Sequence, residues 1–319
     1  MLGPRLAQMS TERALAIGTG AKDPSRAIDW VFVRRGLEVA TLITVFAVTT
    51  IVPLRFDALW GDAHVYFHAT QAWLAGQNPW TSTSGVIPFA APPPALLLNL
   101  PLAPFGEDAA VAFWVVANSF AILVLFRRLR IPIYWLLFQP IAEGWFAASP
   151  DLALAGFALL GGGWLAALVK PYAIPALLGA RRWRAVFGGL VLAALSLLVL
   201  PWAAFFDSAD TISQSLRAWG RPISAFGDPV LMVLVAIALV SLGLRRGLQL
   251  ATPGLLAAQP HYMVFSLQTI VRSRILAIFM SFSLLHSAAL GVIVYAIAEW
   301  TKVVVRRASS GATPASTPG

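Results

Sequence analysis

Between Asp57 and Trp80 the chain reads "DALWGDAHVYFHATQAWLAGQNPW", and several of its residues are of types that do chemistry. Asp62 is a carboxylate at the start of a helical pattern, and a carboxylate within hydrogen-bonding reach of a hydroxyl can act as a general base. The same position is where helices take a capping Asp, so a cap is the competing role. His64 and His68 have the i, i+4 spacing of a helical metal pair. No Glu follows the first His, however, and no third ligand stands nearby, so contact with phosphate or water is the preferred expectation. Asp57 lies just before the helix and is the weaker acid candidate. Further along, Lys170 interrupts the apolar run "AALVKPYAIPALL". A cation there is costly unless it faces a cavity or reaches an interface, and a membrane-bound phosphate would suit it. Snorkelling from a helix end is the alternative. "AAQPHYMVFSLQTIVRSRI" adds His261, Arg272 and Arg274. Glu143 and Asp151 are the other acids at apolar segments, and Asp151 after Pro150 reads as a helix cap.

These residues need elements to hold them, and the composition says of what kind. Hydrophobic residues make up 58% of the 319-residue chain, charged residues only 12%, and the mean hydropathy is +0.75. Soluble domains carry about twice that share of charge. Continuous apolar runs, without the alternation of a barrel, predict an all-α polytopic transmembrane bundle of about 8 to 10 membrane segments. The segments read as 36–54, 91–105, 109–126, 131–148, 151–169, 171–180, 185–206, 229–244, 249–270 and 275–299. After the first of them, residues 62–75 predict an amphipathic helix lying at the membrane interface, ended by Gly76. His64, His68 and Gln71 share one face, Val65, Ala69, Ala72 and Trp73 another, with Trp73 and Trp80 at the boundary. Pro92, Pro93 and Pro94 predict a sharply defined helix start. Residues 1–27 and 305–319 read as disordered cytoplasmic tails flanking one membrane domain over 28–304.

The net charge of +9 comes from short Lys/Arg clusters between apolar runs. Such clusters are a topology signal, not a nucleic-acid footprint, and no nucleic-acid partner is expected. The absence of cysteine excludes disulfides and thiolate metal sites. Alternation from a cytoplasmic N-terminus puts Asp62 outside and Arg181 to Arg184, Arg245, Arg246, Arg306 and Arg307 inside. It also puts the loop with Arg272 and Arg274 outside, against the usual bias. The position of "RRLR" at 127–130 depends on whether 91–105 spans: outside with Lys170 if it does, inside with Lys170 if it is re-entrant. The spanning version is favoured, because a phosphate ligand of Lys170 must share a side with Asp62.

In order and spacing, four stretches resemble glycosyltransferase family 87, within the polytopic C-fold glycosyltransferases that use polyprenyl-phosphate sugars. They are "GDAHVYFHATQAWLAGQNPW", "PFAAPPPALLLNLPLAPF" with the Trp114 and Asn118 helix after it, "LVKPYAIPALLGARRWRA" and "AAQPHYMVF". The likeness runs over roughly 36–300. It implies transfer of a hexose, with mannose the expected sugar, from a polyprenyl-phosphate donor to a lipid or glycan hydroxyl. The transfer would take place with inversion at the outer face of a bacterial plasma membrane. Carried over by position, Asp62 would be the base. Lys170, His261, Arg272 and Arg274 would meet the donor phosphate, and His64, Tyr66, His68 and Trp80 the sugar or acceptor. No metal and no other cofactor is expected; a transporter or assembly partner on the same scaffold is the alternative. The chain departs from the family pattern at Ala91, at Pro150-Asp151 and in the acid expected after His261. Its segment between Asp151 and Lys170 is also shorter and lacks a basic turn.

Overall fold

The computed structural model describes residues 36–37, 39–40, 43–44, 59–81, 89–219, 222–282 and 284–310. Most of the expected first membrane segment, Asp57, the tail 1–27 and residues 311–319 lie outside the described residues, whereas residues 305–310, expected as the start of a disordered tail, continue the last helix, Ser287–Ser310.

Among the described residues the chain is helical throughout, with no strand. The elements are α1 (Gly61–Leu74), α2 (Glu107–Leu129), α3 (Gln139–Phe146), α4 (Pro150–Phe157), α5 (Gly163–Val169), α6 (Ile174–Gly179) and α7 (Trp183–Ser196). They continue with α8 (Trp202–Asp207), α9 (Ala209–Trp219), α10 (Pro229–Ser241), α11 (Leu244–Ala251), α12 (Leu267–Ile270), α13 (Arg274–Ser281) and α14 (Ser287–Ser310). By length and composition three stretches could cross a membrane: Glu107–Leu129, Pro150–Val169 and Ser287–Arg307. The expected eight to ten segments thus resolve into a few long helices and many half-length pieces.

The long helix α2 is apolar on both faces over most of its length, as a lipid-exposed helix is. On α2, Trp114, Asn118, Ala121 and Leu125 are buried against neighbouring helices, while Val116, Phe120 and Leu123 are exposed. Buried Ala121 allows close approach: a methyl group on Gly156 of α4 would lie 2.7 Å from its Cβ. A continuous core then runs through Phe138, Ile141, Leu152, Leu250, Met263 and Leu276.

Three expectations about the path of the chain change. Residues 91–105 do not span. The prolines do start a helix, but it is a short 3-10 turn over Pro93–Leu98, followed by another over Ala103–Phe105. Thr70 of α1 donates to Leu96 O, and Trp114 Nε1 donates to Asn99 Oδ1. The segment is therefore pinned between α1 and the first turns of α2. "RRLR" consequently lies at the end of α2 remote from α1, about 35 Å along a 23-residue helix.

The 20-residue stretch Pro150–Val169 is not one rod. A straight helix of that length would part its ends by about 30 Å. Instead Asp151 Oδ1 and Lys170 Nζ are 2.9 Å apart. The chain reverses at Gly161, whose φ of 110° and ψ of −13° lie in the left-handed region that glycine enters without a Cβ clash. Within the fold, "RRLR" is remote from Asp62, and Lys170 lines the same cavity as Asp62.

Arg272 and Arg274 change place as well. The Arg272 N–H bonds to Thr269 O, and Thr269 Oγ1 donates to Gln249 Oε1 on α11. A methyl on Gly179 would meet both Gln249 and the Arg245 carbonyl at under 3 Å. Arg182, next to the end of α6, shares a crevice with Leu125 and Leu129 of α2. Arg246 pairs with Glu299 at 2.8 Å, near the Arg306 end of α14. Every arginine cluster between 127 and 307 therefore gathers at one end of the bundle, Arg272 and Arg274 included. The expected segments 249–270 and 275–299 are each broken, and the first bends where it reaches Pro260.

Candidate active site

The opposite end holds a cavity of about 500 Å³. Its polar wall is Asp62, Tyr66, Lys170, Tyr172, Gln259, His261 and Tyr262. Pro92, Trp202, Phe205, Leu216, Phe226 and Leu256 supply much of the apolar remainder.

Asp62 reaches this wall because of how α1 begins. The helix starts at Gly61, its N-cap is Trp60 in a left-handed conformation (φ 62°), and no side chain caps it. The Trp60 and Asp62 amides donate to Phe146 O and Ala147 O at the end of α3, and Trp60 packs edge-on against Trp145. With those donors taken, the Asp62 carboxylate is not a cap. It points to His261, Oδ2 to Nε2 3.5 Å, with 15% of the side chain exposed.

His261 ties the cluster together. Its Nδ1 lies 3.1 Å from Glu143 Oε1, and its Nε2 is 3.5 Å from Asp62 Oδ2 and 3.4 Å from Asp151 Oδ2. Pro260 opens the 3-10 turn Pro260–Ser266 that carries it, so the ring is set by a bend against α3. Asp151 is completely buried. Its Oδ1 takes the Lys170 ammonium at 2.9 Å and the Tyr172 hydroxyl at 2.6 Å, while Oδ2 accepts no hydrogen bond. The short fit depends on Gly161: only a returning hairpin brings the first turn of α4 to the residue after α5.

Lys170 does not snorkel; 5% of its side chain is exposed. Its ammonium lies over the Tyr66 ring at 4.9 Å, with the Tyr172 and Tyr262 rings at 5.6 and 5.9 Å. Tyr172 and Tyr262 stack face to face, centroids 4.3 Å apart. Burial pushes the Tyr66 phenol up to about 12, so it remains a hydrogen-bond donor at neutral pH. Three carboxylates face one lysine and one histidine. By formal charge the acids outnumber the bases.

Of the residues singled out in the sequence, Asp62, Tyr66, Lys170 and His261 meet in this cavity. The others do not. His64 Nδ1 and His68 Nε2 both contact Glu107 Oε1, at 2.5 and 2.8 Å, and Gln71 Nε2 donates to Ala103 O. The polar face of α1 thus grips the start of α2 while its other side lines the cavity. Trp80 is buried, donates Nε1 to Ala91 O, and backs Phe89 and Phe205. It supports the wall instead of lining it or anchoring at an interface. Arg272 and Arg274 are exposed at the far end. Glu143 and Asp151, noted in the sequence as acids at apolar segments with Asp151 read as a cap, both contact His261, and Tyr172 and Tyr262, which the sequence did not single out, line the cavity. The available signal was an acid in an apolar run, and a tyrosine directly after Lys170-Pro171 and after His261.

Among the described residues no group of three or more His, Asp or Glu is placed to hold a metal ion. No family model matches the chain, and no curated protein or solved structure matches it.

Proposed function

We propose that the protein is a membrane glycosyltransferase that moves a hexose, with mannose the first candidate, from a polyprenyl-phosphate donor to a hydroxyl acceptor. The observation that carries this reading is the meeting of Asp62 and Lys170 in one aromatic-walled cavity of a bundle built for lipid. In this reading the acceptor O–H gives its proton to Asp62 as its oxygen bonds to the anomeric carbon. The bond from that carbon to the phosphate oxygen breaks on the opposite face, the electron pair leaves with the polyprenyl phosphate, and configuration inverts. Lys170 offsets the charge that develops on the leaving phosphate. Tyr66 and Gln259 offer polar contacts to a sugar, and Trp202 and Phe205 offer apolar faces. The arginine-rich end is the cytoplasmic one in this reading, by the bias of such loops, so the cavity is extracytoplasmic.

One observation favours a second reading. Lys170 is already neutralised by Asp151, and the acids of the cluster outnumber its bases, so a phosphate must compete for the ammonium. A closed pair of this kind also suits a non-catalytic transporter. Purified protein given polyprenyl-phosphate mannose and a membrane lipid extract separates the two. Product formation that falls about 10²-fold or more in Asp62→Asn is expected for a general base. No turnover with any polyprenyl-phosphate sugar would favour the transporter.

A further inference from the structure

Arg182 sits at the arginine end, between α6 and α7, and takes no part in the proposed reaction. It is half-buried, and among the described residues its side chain has no carboxylate or carbonyl partner. Burial holds its guanidinium below the ordinary arginine pKa, the mark of displaced water. A guanidinium that loses hydration without gaining a partner is costly, and a phosphate would supply paired, charge-assisted acceptors.

The crevice beside it is apolar. Leu125 and Leu129 of α2, Ala158 and Leu159 before the Gly161 reversal, Leu177 of α6 and Phe265 line it. Its interior room is about 30 Å³. That is room for about two water molecules, so it admits the edge of a chain laid along it and not a sugar ring. Arg182 is level with the last turn of α2, where that helix passes from apolar residues to Arg127 and Arg128. The charged mouth is thus at headgroup height and the groove runs into the apolar layer.

We infer that this groove binds one anionic phospholipid, its phosphate on Arg182 and one acyl chain against Leu125, Leu159 and Phe265. Charge complementarity chooses the headgroup, because Arg128 and Arg181 add positive potential around the same mouth. Phe265 also packs edge-on against Tyr172 of the cavity, centroids 6.1 Å apart, so the lipid would touch the segment that carries His261. The inference stands whether or not the chain transfers sugar.

The test uses the full chain, delipidated in mild detergent and offered equal phosphatidylglycerol and phosphatidylcholine, with bound lipid counted by native mass spectrometry. One phosphatidylglycerol per chain is expected, retained over phosphatidylcholine and not displaced by excess inorganic phosphate. Arg182→Gln should lower its retention about tenfold, the scale of a lost charge-assisted contact. Arg182→Lys should keep part of it, and Arg184→Gln, an exposed neighbour, should leave it intact. Equal retention of both lipids, displacement by phosphate alone, or equal loss in Arg184→Gln would overturn the assignment. The wild-type comparison decides it even if Arg182→Gln does not fold.

Discussion

Lys170 Nζ lies 2.9 Å from Asp151 Oδ1, although one residue follows α5 and the other opens α4. That contact fixes the hairpin, puts a cation beside Asp62, and leaves Asp151 Oδ2 for His261. Removing one partner from a buried pair strands the other, which costs about 3–5 kcal/mol. Asp151→Asn should lower thermal stability in detergent by that order, and Asp151→Leu with Lys170→Met should recover most of it. A loss in the single variant under about 1 kcal/mol would mean that Lys170 finds water or another partner.

Asp62 contributes nothing to capping α1, so its removal tests chemistry more than stability. A lost cap costs about 1 kcal/mol. Asp62→Ala should change unfolding by no more than about 1 kcal/mol, because His261 keeps Glu143 and Asp151 as partners. Sugar transfer should nevertheless fall about 10²-fold or more. A large drop in melting temperature would return Asp62 to a structural role.

The three histidines near α1 separate by position. His64→Ala and His68→Ala break partly exposed contacts to Glu107 and should each cost under about 1 kcal/mol. Transfer should stay within about threefold of wild type in both, whereas His261→Ala should lower it about 10²-fold. Chelation of divalent ions should leave all three rates unchanged. Activity lost to a chelator and restored by metal would reinstate His64 and His68 as ligands.

The hairpin depends on two glycines for different reasons. Gly161→Ala places a Cβ at φ 110° and should cost about 1–3 kcal/mol. Gly156→Val adds bulk where even a methyl would lie 2.7 Å from Ala121 Cβ, so α2 and α4 must part. Overpacking of that kind costs about 1–3 kcal/mol. Transfer should fall with it, because Asp151 rides on α4. Unchanged melting and activity in Gly156→Val would contradict the close packing of the two helices.

The absence of cysteine makes topology directly measurable. Single cysteines at Arg128, Arg184 and Arg272 should react with a membrane-impermeant thiol reagent from one side of sealed vesicles. Gln77→Cys, just past α1, should react from the other. Labelling of Arg272→Cys together with Gln77→Cys would restore the alternation expected from the sequence and contradict the gathering of arginines at one end.

Hydropathy alone marks the helical, membrane-compatible character of the chain, because lipid as solvent demands apolar residues on every outward face. It places α2 within a few residues. Local rules also find the stop of α1 before Gly76 and the proline-driven helix start at Pro93. An acid in an amphipathic helix and a lysine in an apolar run are local anomalies, so Asp62 and Lys170 stand out without a structure.

What the sequence leaves open is direction. Hydropathy scores the residues 150–169 as one span, since it sums side chains without regard to backbone direction, and the reversal rests on the φ of Gly161. That one reversal decides whether Lys170 meets Asp62, and parity carries any such error into the loops that follow. Partnership is likewise a tertiary matter. His64 and His68 are expected to meet phosphate, water or sugar until Glu107, far along the chain, takes both, and Asp151 looks like a cap until Lys170, Tyr172 and His261 converge on it. Local propensity acts over a turn of helix, whereas a buried charge is satisfied by whatever the fold brings within about 3 Å.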